Sequence, residues 1–115
     1  MRVTYVVQRY GADVVGGAEA ACRAFASRLA AAGDDVTVFT SCATESTTWA
    51  NALPAGEAAD GPVRVVRFPT TAPRAAGFDR LSHRVYAGDP EPALERRWIE
   101  DQGPLVPELV ASVRS

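Results

Sequence analysis

A glycine pair, Gly16-Gly17, stands directly before an alanine-rich stretch that opens with Ala18-Glu19. Glycines at such a place let a backbone approach a ligand with no Cβ in the way. A helix beginning just beyond them offers unpaired N–H groups and the positive end of its dipole. The chemistry of this spot is anion binding. Arg9, which closes the first apolar stretch, and Arg74, after a proline-marked one, are further cations that can reach an anion or simply be solvated.

Spacing narrows the choice of anion. Gly11 and Gly16 have the separation of a phosphate-binding NTPase loop, but Gly17-Ala18 replaces the lysine and the hydroxyl that would hold magnesium. A dinucleotide fingerprint needs a further glycine and an acidic residue after the second strand, where Thr40-Ser41-Cys42 stands. A phosphorylated receiver domain would need acidic residues near the end of the first strand, where Gln8 and Arg9 stand. A small phosphate-bearing ligand, or a tight turn that binds nothing, is what the glycine pair leaves open.

Among other chemistry-bearing residues, Trp49, Trp98 and Tyr86 have rings that can stack on a sugar, and Trp49 is singled out because it lies in a long loop. Aromatic residues of a small domain also serve as core or loop anchors. The lone histidine, His83, has no carboxylate orienter and no metal-spaced partner, so it reads as a surface or packing residue without a catalytic role. Cys22 and Cys42 read as free structural thiols. No catalytic residue, metal ligand or cofactor is assigned.

The elements that must position the glycine pair follow from periodicity. Residues 3–7 alternate valine, threonine and tyrosine and are apolar on nearly both faces, as suits an interior parallel strand covered on each side. Cys22, Phe25, Ala26 and Leu29 recur at helical spacing and define an inward face; Gly33 stands where a left-handed C-cap is wanted, and Glu19 is placed to complement the dipole and pair with Arg23. Residues 36–40 form a second strand, reached by a right-handed crossover. Residues 41–62 read as an excursion without elements of its own beyond a helical turn at Trp49, mobile over the carboxyl edge of the sheet. Residues 63–68 are a third strand, with Arg64 and Arg67 suggesting an exposed or edge position. Helices follow at 78–86, 92–102 and about 104–114. The expected fold class is α/β: an incomplete three-layer, Rossmann-like parallel sheet of about three strands with covering helices.

The chain has 115 residues and a net charge of −2, room for one domain and no pull toward nucleic acid or anionic lipid. All twelve basic residues are arginine, a composition that follows from GC-rich coding rather than from a device. No apolar run reaches the ~20 residues of a membrane span, and the N-terminal stretch lacks the features of a signal peptide. A cytoplasmic protein is expected.

Strand, loop, Gly16-Gly17-Ala18-Glu19, then Phe25, Leu29, Ala32-Gly33-Asp34-Asp35 and Val36-Thr-Val-Phe-Thr40 together resemble the opening of the family 4 glycosyltransferases of GT-B fold. There a double glycine precedes the first helix, and a Gly-His-x-Val-x-Val-x-Thr-like segment forms the second strand; Asp34 stands where histidine is frequent. The match is close over residues 1–41 and loose in element order to 115. It implies that residues 1–115 are a partial N-terminal, acceptor-side domain, lacking the C-terminal nucleotide-sugar-binding domain and the histidine after the fourth strand. The implied activity is retaining, metal-independent transfer of a sugar from a nucleotide-diphosphate sugar to a glycosyl acceptor, with this chain alone inactive. By resemblance Gly16 and Gly17 contact the donor diphosphate, and Glu19 and Trp49 lie on the acceptor side. The alternative is a small non-enzymatic module that binds a phosphate ligand or another protein. Without a fourth strand beside residues 3–7, the sheet keeps an unpaired apolar edge, and self-association through it is expected.

Overall fold

The computed structural model describes residues 1–88 and 91–114. It opens with β1 (Arg2–Val6), crosses through α1 (Gly17–Ala31) and returns in β2 (Asp35–Ser41), parallel to β1 with Val3 beside Val36 and Tyr5 beside Val38. β3 (Gly56–Asp60) and β4 (Val63–Phe68) form a hairpin, and β4 pairs parallel with β2. The sheet order is β1-β2-β4-β3, so the fold is α/β with a four-stranded mixed sheet, compatible with a Rossmann-like arrangement. α2 (Phe78–Tyr86), α3 (Pro92–Gln102) and α4 (Pro107–Arg114) follow.

Three differences from the sequence reading have physical causes. The expected excursion at 41–62 contains β3, whose sequence Gly-Glu-Ala-Ala-Asp has no β-branched or aromatic residue. Its pairing comes from the neighbouring β4 and the Gly61-Pro62 turn, not from propensity. β4 is therefore an interior strand: Val63 and Val65 are buried while Arg64 ion-pairs across the hairpin with Glu57. β1 keeps the unpaired edge expected of it but is covered on one face, not on both, its residues alternating between exposed and half-buried.

The core lies between α1 and the sheet. Tyr10, Ala26, Ala30, Val36, Val38, Val63 and Val65 form it, with Val3, Tyr5, Val7, Cys22 and Leu29 packed around them. Phe25 is 58% exposed, not inward. Ala26 and Ala30 are the buried residues of α1, with Cys22 and Leu29 packed beside them, which leaves Phe25 on the outer flank of the helix. Gly33 adopts φ 103° and donates its N–H to Ala30 O at 3.1 Å, the C-cap expected of it. α4 covers the other face through Leu109. It begins at Pro107 rather than near Pro104, since residues 103–106 are non-helical, with a bend at Gly103 that lies against Trp49.

α2 and α3 pack on each other and bury little besides Phe78 and Leu81. The molecule is elongated, 51 × 25 × 24 Å with a radius of gyration of 16.0 Å, against about 13 Å for a compact chain of this length. No helix among the described residues is long and apolar enough to cross a membrane.

Candidate functional site

The carboxyl ends of β1 and β2, the first turn of α1 and the approach to α4 enclose a cleft of about 430 Å³. Its polar wall is Gln8, Glu19 and Ser41; its apolar wall is Val6, Val7, Pro104, Val106, Leu109 and Val110, with Ala18 at the helix start. Ser41 Oγ donates to Gln8 O at 2.5 Å and accepts the Ala43 N–H at 3.2 Å, tying the end of β1 to the loop after β2. This is the crevice where open parallel sheets bind ligands.

Gly16 and Gly17 directly precede the cleft-lining Ala18 and Glu19 without lining the cleft themselves, and they have different surroundings. A Cβ on Gly17 would meet nothing within 4 Å, so its backbone is open to approach. A Cβ on Gly16 would collide with the Glu19 carboxylate and lie 2.9 Å from Arg9 Nη2. Glu19 folds back over Gly16 to meet Arg9, whose Nε and Nη2 both donate to Glu19 Oε1, at 3.0 and 2.8 Å. Arg9 also donates to Val15 O at 3.2 Å and Thr44 O at 3.3 Å. Both side chains are nearly enclosed, 12% and 11% exposed.

Burial works to raise the Glu19 carboxyl, but its own backbone N–H and the Arg9 guanidinium outweigh it and hold the group below the usual glutamate value. The helix end thus already carries a carboxylate supplied by the chain, and Arg9 is committed to it. Arg23, the partner expected for Glu19, reaches Asp60 instead, Nε to Oδ2 at 2.9 Å and Nη2 to Oδ1 at 3.0 Å. Tyr10 donates its hydroxyl to the same Asp60 Oδ2 at 2.7 Å, so Asp60 links α1, the glycine loop and β3. The Arg23 hydrogen bonds lead in holding the Asp60 carboxyl low, against a desolvation that would raise it. Burial, and then the bond to Asp60, push the Tyr10 hydroxyl well up.

No family model, curated protein or solved structure matches the chain.

The remaining residues singled out from the sequence lie outside the cleft. Trp49 is 3% exposed at φ 57°, directly after a turn at residues 46–48. Its indole N–H donates to Gln102 O at 2.7 Å, and Arg74, which donates to the same carbonyl at 2.8 Å, stacks over the rings of Trp49 and Phe78. Trp49 is therefore an anchor between the loop and the end of α3, neither mobile over the cleft nor offering a face to a sugar, and Arg74 belongs to the same clasp. His83 is exposed on α2. Trp98 donates to Ser82 Oγ at 3.2 Å and meets Tyr86 edge to face, inside the α2–α3 pair. Cys22 and Cys42 are free, and burial pushes both thiols up, the nearby Arg67 opposing this at Cys42. Among the described residues no group of three His, Cys, Asp or Glu is placed to hold a metal ion.

Residues that the sequence did not single out complete the arrangement. Asp60 precedes a Gly-Pro pair and reads as a turn residue, and nothing local signals that it holds Tyr10 and Arg23. Thr40 Oγ1 and Arg67 Nε are buried beneath the glycine loop without a hydrogen-bond partner, while Arg67 Nη2 donates to Tyr10 O at 2.9 Å.

Proposed function

We propose that this chain forms the first part of the acceptor-side domain of a GT-B glycosyltransferase of the family 4 type. The whole enzyme would transfer a sugar from a nucleotide-diphosphate sugar to a glycosyl acceptor, with retention and without a required metal. The observation that carries the reading is the open Gly17 backbone at the first turn of α1, beside a cleft at the carboxyl ends of β1 and β2. In this reading the N–H groups of Gly17 and Ala18 meet a donor phosphate oxygen, and the Arg9-held Glu19 accepts a hydrogen bond from an acceptor hydroxyl. Gly16 serves by making room for Glu19. The segment binds and orients; it supplies no nucleophile and no general acid, and by itself it is inactive.

Amide spectra of the isotope-labelled chain titrated with nucleoside diphosphates test this. Shifts confined to Gly16, Gly17 and Ala18, abolished in Gly17→Val with far-UV circular dichroism unchanged, are expected; no shift at those amides overturns the reading. A non-enzymatic binding module is the second reading, favoured by the apolar wall of Val6, Pro104, Val106 and Val110. It predicts shifts on that wall with an apolar peptide and none at the glycines with nucleotide.

A further inference from the structure

Tyr10 is held at both of its ends by one element. Its hydroxyl donates to Asp60 Oδ2 at 2.7 Å, and its carbonyl oxygen accepts Arg67 Nη2 at 2.9 Å. Asp60 closes β3 and Arg67 lies near the end of β4, so both anchors belong to the hairpin. Register puts them on one face. Asp60 pairs with Val63, and Val63, Val65 and Arg67 share the side of β4 that α1 covers. Asp60 is at the turn end of the hairpin and Arg67 at its open end, and the buried Tyr10 side chain runs between them.

Each anchor is more than the burial of a ring requires. A phenylalanine would fill the same space between α1 and the sheet, whereas the hydroxyl fixes where the ring ends. Arg67 makes no ion pair among the described residues. Its Nε is buried without a partner, and the hydrogen bond that its guanidinium does make goes to Tyr10 O. Burying a cation to hold one carbonyl is unfavourable for stability alone. The carbonyl so held opens the glycine loop. Gly11 follows directly, with a Cβ position 3.8 Å from Arg67 Nη2, and Gly11 O accepts the Val14 N–H at 3.2 Å in the turn toward Gly16 and Gly17. Arg9 holds the far end of the loop through Val15 O.

We propose that Asp60 and Arg67 are positioning residues for the glycine loop: acting through Tyr10, they keep residues 11–16 clear of the Gly17 and Ala18 amides, where a diphosphate binds. Neither residue lines the cleft. The effect on affinity rests on the phosphate-binding reading of those amides, whereas the effect on the loop rests on geometry alone. A loop that is correctly placed for only a fraction of the time binds with an affinity reduced by that fraction. Asp60 has a second tie, to Arg23 of α1 at 2.9 and 3.0 Å, which stays in place when the tyrosine hydroxyl alone is removed.

Tyr10→Phe is the deciding variant, because it keeps the ring and the Arg67 bond; Asp60→Ala and Arg67→Met each remove one anchor outright. In the ligand-free chain, amide order parameters of residues 11–16 should fall from about 0.85 toward about 0.6 in all three, with those of β2 and β4 unchanged. Affinity for uridine diphosphate, read from the Gly17 and Ala18 amide shifts, should fall by about three- to tenfold. The Tyr10→Phe, Asp60→Ala double variant should bind no more weakly than Asp60→Ala, since both act through one bond. Loop order parameters unchanged in Tyr10→Phe and Asp60→Ala overturn the proposal, and so does a loss of order spread equally over the sheet. A loosened loop that binds uridine diphosphate as tightly as the wild type also overturns it. If uridine diphosphate shifts no amide in the wild type, the phosphate-binding reading falls, and the order parameters decide whether the hairpin holds the loop.

Discussion

Up to about residue 70 the chain buries valines, alanines and Tyr10 between a helix and a sheet; from Phe78 to Gln102, among the described residues, it buries only Phe78 and Leu81. The first region is held by area removed from water. The second, the α2–α3 pair, is held by a few directional contacts: Tyr86 on Trp98, Trp98 on Ser82, and the clasp of Trp49 and Arg74 on Gln102 O. Apolar burial is distributed and tolerant of single losses, whereas a clasp fails as a unit. The contrast teaches where each half is vulnerable.

The largest expected effect falls on the clasp. Trp49→Ala removes a buried indole and should cost about 3–5 kcal/mol, a large part of the stability of a small domain. Because the loss falls on the joint, urea unfolding should resolve into two steps, with amide protection kept in β2 and β4 and lost in α2 and α3. A single cooperative transition would show that the two regions are one unit.

Within the first region, Arg9→Met strands the enclosed Glu19 carboxylate and should cost about 1–3 kcal/mol at pH 7. The sign with pH is fixed by the direction of the Glu19 shift. Its carboxyl titrates lower in the native protein than in the unfolded chain, near 4.3, so the pairing contributes above that pH and is lost as pH falls through the lower native value. Denaturation midpoints of wild type and Arg9→Met should therefore converge as pH falls below the unfolded value and through the lower native one. A constant gap would mean that Arg9 acts by packing alone.

Smaller effects separate the two glycines. Gly17→Ala enters open space in the first helical turn and should stabilise by about 0.5–1 kcal/mol. Gly16→Ala should destabilise by about 1 kcal/mol, since its methyl displaces the Glu19 carboxylate from Arg9; equal shifts in thermal midpoint would place both glycines in open space. The smallest change tests the hydroxyl beneath the loop. Thr40 Oγ1 is buried without a partner, so Thr40→Val should be neutral or stabilising by up to about 1 kcal/mol, and a loss of midpoint would show that the hydroxyl is satisfied.

Legibility does not follow that division, for α2 and α3 stand at the expected bounds, 78–86 and 92–102, and much of the first half was legible too. Val3 to Val7, the alanine-rich helix with its Gly33 cap, and Val36 to Thr40 each carry their own period, and local pattern and fold agree. What was not legible depends on partners distant in sequence. β3 has no strand propensity and exists because β4 pairs with it. Phe25 has the spacing of a core residue and lies on the outer flank because α1 turns Ala26 and Ala30 to the sheet. Glu19 turns to Arg9, ten residues back, not to Arg23 one turn on. Trp49 read as a loop aromatic because its hydrogen-bond acceptor lies 53 residues away. The cleft follows the same rule: the strand ends and the glycines were visible, but the wall contributed by residues 103–110 was not.

The Gly61-Pro62 turn between β3 and β4 bears on chain entropy. It closes the shortest loop of any strand pairing in the sheet, whereas β2 reaches β4 across residues 42–62 and β1 reaches β2 across a whole helix. Loop closure costs more as the loop lengthens, and non-local parallel pairings repay that cost late. Pairing is thus cheapest at the hairpin and dearest at β1, the strand that leads into the glycine loop and is held from one side only. The β2-facing amides of β1 should exchange with solvent well ahead of those of β4, and the candidate site is attached to the strand that the sheet can most readily release.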